Sequence, residues 1–264
     1  MSWAIDLAER GYVPDVIVRL FMRRLLRKRL SQDKIRSTPA GKAELMDEMC
    51  KGPIAINTGD ANQQHYEVPT GFFQLMLGSR MKYSCAFFED ESDPLDKAED
   101  TMLALCCSRA ELNDGQNILE LGCGWGSLSL YLAEHYPSSQ ITAVSNSATQ
   151  RTYIETQAVS RNLHNLSVIT ADMNDFSTAE QFDRVMSIEM FEHMRNHQML
   201  FHRISGWLKQ DGKLFFHIFC HRDMPYFFET DSEDDWMAKH FFTGGMMPSF
   251  DLPARFDDHL NQEK

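Results

Sequence analysis

Residues 117–126, Asn-Ile-Leu-Glu-Leu-Gly-Cys-Gly-Trp-Gly, decide how this chain is read. A short apolar run from Asn117 to Leu121 carries an acid at Glu120 and passes straight into glycines at 122, 124 and 126; helical character follows from Leu128 to Glu134. Strand, glycine turn and helix in that order form the opening unit of a parallel α/β sheet, which binds its ligands at the carboxyl ends of its strands. Gly122 and Gly124 permit backbone angles and a close approach that a Cβ would obstruct, so a ligand can rest on the loop itself. Dinucleotide enzymes use G-x-G-x-x-G, with a helix N-terminus facing a pyrophosphate. Here the third glycine comes one residue sooner and Glu120 immediately precedes the turn. The spacing favours S-adenosylmethionine, which has no phosphate but carries a sulfonium and an ammonium suited to carboxylate and carbonyl oxygens.

Outward from this loop, strands are expected at 140–144, 166–170, 184–188 and 213–219, with helices at 148–161 and 197–208. Alternation of this kind predicts a Rossmann-like doubly wound sheet with right-handed crossovers. The second strand ends Ala143-Val144-Ser145-Asn146 and offers no acid to a ribose, so neutral groups, Asn146 and above all Gln150, are the candidates there. After the third strand, Asp172 is placed to accept an adenine amino hydrogen and Met173 to pack on the ring.

The first hundred residues read as a helical cap followed by loops, residues 101–220 as the cofactor-binding core, and 221–264 as a helical segment on the acceptor side. A net charge of −12 argues against nucleic acid as a partner. The charge is uneven, since residues 1–43 hold ten Lys/Arg against four Asp/Glu. Six of those basic residues lie between Arg19 and Arg29, interleaved with Leu20, Phe21, Leu25 and Leu26. This stretch is read as a surface helix packing an apolar stripe on the core, with contact to an anionic membrane as the alternative. No run is long and apolar enough to cross a bilayer, no secretory signal is evident, and the six cysteines show no CxxC spacing. A cytoplasmic chain with reduced thiols and no metal is expected, its oligomeric state open.

Several longer motifs add to this: Gln64–Phe73 (QHYEVPTGFF), Met81–Phe88 (MKYSCAFF), Ser187–Met194 (SIEMFEHM), His217–His221 (HIFCH) and Glu233–Gly245 (EDDWMAKHFFTGG). With the glycine loop they resemble the cyclopropane-fatty-acid-synthase superfamily, most closely its coclaurine N-methyltransferase-like branch, over about residues 11–256. The resemblance implies a class I methyltransferase fold and methyl transfer from S-adenosylmethionine to the nitrogen of a small benzylisoquinoline-like amine, leaving S-adenosylhomocysteine. It places Tyr83 and Ser84, with Gly122, at the cofactor's methionine end. It places Tyr66, Glu67, Glu189, Glu192 and His193 around the methyl acceptor. If the turn holding Glu189, Glu192 and His193 is α-helical, the three share a face. An ammonium has no lone pair, so the acceptor must lose a proton, a step assigned to Glu192 with His193. Tyr66, Glu67 and the rings near Phe72 and Phe73 would stabilise the resulting cation.

The competing enzymatic reading is cyclopropanation or methylation of an unsaturated acyl chain. In those relatives a bicarbonate takes the final proton, held partly by residues corresponding to Cys85, Glu192 and His217. A third reading is a catalytically silent cofactor-binding form. Class I methyltransferase sheets have seven strands and only five are legible here, so the chain is expected to lack the last two, as a shortened form would.

Overall fold

The structure is a computed structural model that describes residues 3–36, 38–59, 69–230 and 236–263; Tyr66 and Glu67 lie outside this set. Five strands form the main sheet: β1 (Asn117–Leu121), β2 (Gln140–Ser145), β3 (Leu166–Thr170), β4 (Phe182–Ile188) and β5 (Leu208–His217). Their order is β3-β2-β1-β4-β5 and every neighbouring pair is parallel. The chain winds outward from β1 to β3, then returns to lay β4 against the free side of β1. The reversal leaves a crevice above the carboxyl ends of β1 and β4, where open parallel sheets bind ligands. The expected Rossmann-like class I architecture is therefore present.

Alternation along β1 assigns the two faces. Ile118 packs with Leu103 and Cys107 of α5 (Leu95–Arg109) and Leu128 and Leu132 of α6 (Ser127–His135). Ile154 and Ala158 of α7 (Ala148–Ser160) cover Ala143 and Val168. On the opposite face Leu119 and Leu121 meet Leu200, Phe201 and Ile204 of α8 (His197–Trp207). The same cluster takes in Met49, Ile54, Phe227 and Leu252, so the N-terminal segment, the sheet and residues after 220 share one core. Glu120 points to the α6 side and would face apolar helix but for Ser129, whose hydroxyl donates to it.

The N-terminal helices are α1 (Trp3–Glu9), α2 (Asp15–Arg36), α3 (Pro39–Met49) and α4 (Thr70–Met76). α3 starts earlier than its apolar residues suggest because Thr38 caps it, accepting from the Gly41 N–H at 3.2 Å, and Pro39 takes the first turn. α2 corrects an expectation. It does not pack an apolar stripe on the core: Leu20, Phe21, Leu25 and Leu26 are 59%, 60%, 46% and 60% exposed. Its leucines and arginines alternate around the whole circumference, so no face is apolar enough to bury. Among the described residues no helix is long and apolar enough to cross a membrane.

Beyond the main sheet the expected helical segment is largely absent. A two-stranded antiparallel ribbon pairs β6 (Tyr226–Phe227) with β7 (Met246–Met247), and α9 (Trp236–His240) is the one α-helix described there. Pro225, Pro248, Pro253 and the pair Gly244-Gly245 interrupt helical hydrogen bonding too often for more.

Two glycines of similar appearance in sequence are predicted to respond oppositely to alanine. Gly126 has φ +79°, and a Cβ there would stand 2.6 Å from Cγ1 of Ile154. Gly206, near the end of α8, has open space around it. Gly126→Ala should destabilise by at least about 1–2 kcal/mol, the left-handed cost alone, whereas Gly206→Ala should stabilise by roughly 0.4–1 kcal/mol. Urea unfolding of both variants measures this, and shifts of the same sign would refute the assignment.

Candidate functional site

The crevice above β1 and β4 opens into a cavity of about 400 Å³. Its floor is the glycine loop. The N–H groups of Gly122 and Cys123 both donate to the Val144 carbonyl, each at 3.0 Å, which pins the turn to the end of β2. Gly122 has φ +77°, and a Cβ on it would lie 2.7 Å from Cγ of Met190, so the loop and the segment after β4 are closely packed. Gly124 faces open space on the cavity side.

Of the residues the sequence singled out for the cofactor, all line this cavity: Tyr83, Ser84, Glu120, Gly122 and Gly124, then Asn146, Gln150, Asp172 and Met173. Gln150 is held by its side-chain oxygen, which accepts from the Ser145 hydroxyl at 2.6 Å. Its Nε2 is buried and has no partner among the described residues, and the same holds for the indole N–H of Trp125. A buried donor left without an acceptor is costly, so a hydroxyl or carboxylate oxygen brought by a ligand would satisfy it. Asp172 accepts from the Asn174 N–H at 2.8 Å, which shapes the loop after β3.

A residue that the sequence reading passed over stands in the same wall. Lys82 is buried, donates to the Ser84 hydroxyl and lies near enough to Glu120 to favour its charged form. Burial nonetheless prevails at Glu120 and raises its carboxyl to about 7. Lys82 sits inside the MKYSC motif, but nothing in its spacing announces a buried cation.

The acceptor side is rearranged relative to expectation. Glu189 and His193 border the cavity; Glu192 does not. The turn is not α-helical. Glu189 adopts φ +51° and only Phe191–His193 form a 3₁₀ turn, which swings Glu192 beneath the cavity. There Oε1 accepts from the Phe219 N–H at 2.8 Å, Oε2 has no partner, and burial pushes the carboxyl up to about 8. The aromatic wall also differs. Phe73 is buried against Trp125 and Tyr83, and Phe72 is solvent-exposed. Phe219, Phe241 and Phe242 line the cavity together with Tyr83 and Trp125, and His193 stacks on Phe242 at 5.1 Å and 15°.

Beside the cavity, Cys85 and His217 lie together, and the acid next to them is Glu189 and not Glu192. The Cys85 Sγ lies 3.9 Å from His217 Nε2, and His217 Nδ1 lies 3.6 Å from Glu189 Oε1. Cys85 also donates its N–H to Glu189 Oε1 at 3.4 Å. Burial lowers the His217 pKa, against the pull of Glu189, and burial followed by Glu189 raises that of the Cys85 thiol. The imidazole is thus biased toward its neutral form between a thiol and a carboxylate, a donor set that also suits a transition metal. Cys85 is 104 residues from Glu189 and 132 from His217, so sequence spacing could not group them.

Comparison with known proteins fits this geometry. (S)-Coclaurine N-methyltransferase of Thalictrum flavum subsp. glaucum is 37% identical over 258 residues, spanning 96% of this chain and 72% of that protein. The Papaver somniferum enzyme of the same name is 36% identical, covering 90% of this chain and 69% of its own. A crystal structure of coclaurine N-methyltransferase bound to N-methylheliamine and SAH superposes with a TM-score of 0.89 at 36% identity, covering 97% and 75% of the two chains. A cyclopropane synthase from Mycobacterium tuberculosis reaches a TM-score of 0.65 at 25% identity, covering 76% and 73%. Residues 55–255, from the loop that borders the cavity through the sheet to the ribbon beyond it, match the mycolic acid cyclopropane synthetase description, and the chain belongs to that family.

Proposed function

We propose that this chain transfers a methyl group from S-adenosylmethionine to the nitrogen of a small cyclic amine of the benzylisoquinoline type. The observation that carries this reading is the polarity of this cavity: a lysine and an acid at the glycine-loop end, a carboxylate, an imidazole and aromatic faces at the other. S-Adenosylmethionine supplies an electrophilic methyl carbon on a sulfonium. Lys82 offers a positive charge to its carboxylate, the Glu120 carboxyl, raised by burial to about 7, offers oxygens to its ammonium, and Gln150 Nε2 offers a buried donor to a ribose oxygen. Asp172 and Met173 border the remaining end, in reach of the adenine.

Transfer is an in-line displacement, so most of the rate comes from holding nitrogen, carbon and sulfur collinear. The nitrogen must first be neutral. His193, fixed against Phe242, is the group placed to take its proton, and the Glu189 carboxylate stabilises the cation before and after transfer. Phe241 and Phe242 present ring faces to the same charge. Glu192 carries its own proton at neutral pH because of burial, so it supports the turn under His193 and the backbone at Phe219 more than it competes for the amine proton. The cluster of Cys85, Glu189 and His217 favours a second reading, alkylation of an unsaturated acyl chain, in which a neutral imidazole receives the final proton.

The two readings separate in one assay of cofactor consumption, with cyclic and linear amines in one arm and vesicles of unsaturated anionic phospholipid in the other. Turnover with cyclic amines alone is expected; turnover with lipid alone would replace the amine reading, and cofactor binding without turnover in either arm would mark a silent form. Within the amine reaction, His193→Ala should lower kcat by about 10² to 10⁴ with cofactor affinity by calorimetry little changed, and Glu192→Gln should cost much less. Equal losses in the two variants would return the proton to Glu192.

Burial of the two acids also predicts a pH signature. Both Glu120 and Glu192 hold their protons to higher pH when folded than the ordinary 4.5, to about 7 and about 8. The folded chain then binds more protons than the unfolded one in that interval, so the stability they contribute is complete below it and is lost as pH rises through about 7 to 8. The thermal midpoint of the ligand-free chain should therefore fall from about pH 5 to about pH 8, and Glu120→Gln/Glu192→Gln should flatten the slope. A slope unchanged in the double variant would show that other groups set it.

A further inference from the structure

Three side chains of different chemistry meet at the rim of the cavity. Among the described residues, Cys85, Glu189 and His217 each bring one donor atom to within 4.8 Å of the other two. They come from separate elements that the backbone ties together. Ile188 and His217 are register partners across β4 and β5, and the Glu189 N–H donates to the His217 carbonyl at 2.8 Å. The Cys85 N–H donates to the Glu189 carboxylate, and further along the same loop the Phe87 N–H donates to the Ala98 carbonyl of α5 at 3.1 Å. His217 Nδ1 is buried without a hydrogen-bond partner among the described residues and lies 3.6 Å from Glu189 Oε1, while Nε2 faces the Cys85 sulfur at 3.9 Å. Glu192, buried beneath the cavity, is not part of this group.

We propose that Cys85, Glu189 and His217 form a reversible Zn²⁺ site whose occupation shuts the methyl acceptor out. Zinc takes a thiolate sulfur at about 2.3 Å and an imidazole nitrogen or carboxylate oxygen at about 2.0–2.2 Å, in a tetrahedron. Neighbouring donors then stand roughly 3.3–3.6 Å apart, so Cys85 and His217 need close by only a few tenths of an ångström. The thiol gives its proton to solvent as the ion binds. Three protein donors leave the fourth position to water, and the exposed thiol gives the ion a path from solvent. The donor set selects the metal. Magnesium and calcium take shells of oxygen, of which one carboxylate is offered here; thiolate, imidazole and carboxylate together suit zinc. Lys82 and Arg109 stand near enough to oppose the charge of the ion, which keeps binding reversible, and Glu189 with the thiolate offsets them. Glu189 also lines the cavity. Once it holds zinc it no longer meets the cation of the acceptor, and the charge of the ion repels an ammonium. This consequence, unlike the binding itself, rests on the amine-methylation reading.

Co²⁺ is the probe for the site, because four-coordinate cobalt with a thiolate ligand shows intense visible bands and a sulfur-to-metal charge-transfer band in the near ultraviolet. Co²⁺ added to the reduced full chain should produce both, and Zn²⁺ should bleach them. Cys85→Ser should abolish the charge-transfer band, and Cys85→Ser and His217→Gln should each weaken Zn²⁺ binding in calorimetry by at least roughly 10–100-fold, the loss caused by groups that only support a ligand. Cys50→Ser and Cys220→Ser, which change the other exposed thiols, should bind as the parent does. The metal-free thermal midpoint of each variant reads its folding separately, and Zn²⁺ should raise the midpoint of the parent but not of Cys85→Ser. In the amine assay Zn²⁺ should raise KM for the amine while the affinity for S-adenosylhomocysteine changes little, and a chelator should restore turnover. A parent without the charge-transfer band, or a band that survives in Cys85→Ser, overturns the site. Zinc bound by these residues with amine kinetics unmoved overturns the exclusion of the acceptor. Spectra that assign cobalt to the three residues in a chain that methylates no amine uphold the site and count against the amine reading alone.

Discussion

At Gly122 and Gly126 the backbone passes closer to its neighbours than a side chain would allow. Met190 presses on it from the segment after β4, Ile154 from α7, and the Val144 carbonyl holds two of its N–H groups. Everything that borders the cavity takes its position from this contact. If the turn widened by one methyl group, β4 and α7 would have to move apart, and the adenosyl and acceptor ends would lose their common floor. The requirement for glycine here is steric on the underside and left open on the upper side, where Gly124 faces empty space.

A second organising fact is that burial moves titratable groups in and next to the cavity toward their uncharged forms. Glu120, Glu192 and His217 are each displaced toward neutrality by burial. A charged group entering the cavity is therefore poorly screened, and each opposite charge present counts for more than it would in water. Lys82 and Glu189 provide those charges at the two ends.

Much of the fold was legible in the sequence because strand and helix periods are local properties. β1 and β3 begin and end where their apolar runs do, and β2 and α7 differ by one residue. The residues singled out around Glu120, Gly122, Asn146 and Asp172 line the cavity because in a doubly wound sheet the strand ends, which the same periods locate, surround the crevice. The acceptor side was not legible in this way. Glu189 borders the cavity while Glu192 lies off it, and Glu189 takes a left-handed conformation that its identity does not announce. The aromatic wall comes from Phe241 and Phe242, more than 160 residues beyond Phe72 and Phe73, which the sequence had suggested. α2 was misjudged for a different reason: its apolar residues were counted without asking whether they fall on one side.

The segment around Ile54 and Ala55 is stapled to both loops at the carboxyl ends of the strands. Asn174 exchanges two hydrogen bonds with Ala55, at 3.0 and 2.9 Å, and the Arg195 N–H donates to the Ile54 carbonyl at 2.6 Å. During synthesis Ala55 leaves the ribosome 119 residues before Asn174. At roughly 5–20 residues per second, it waits on the order of 6–24 s for its partner to be made. Throughout that interval the apolar side chains of Met49 and Ile54 have no core to join, so the nascent N-terminal segment is the part of this chain most in need of a chaperone's protection.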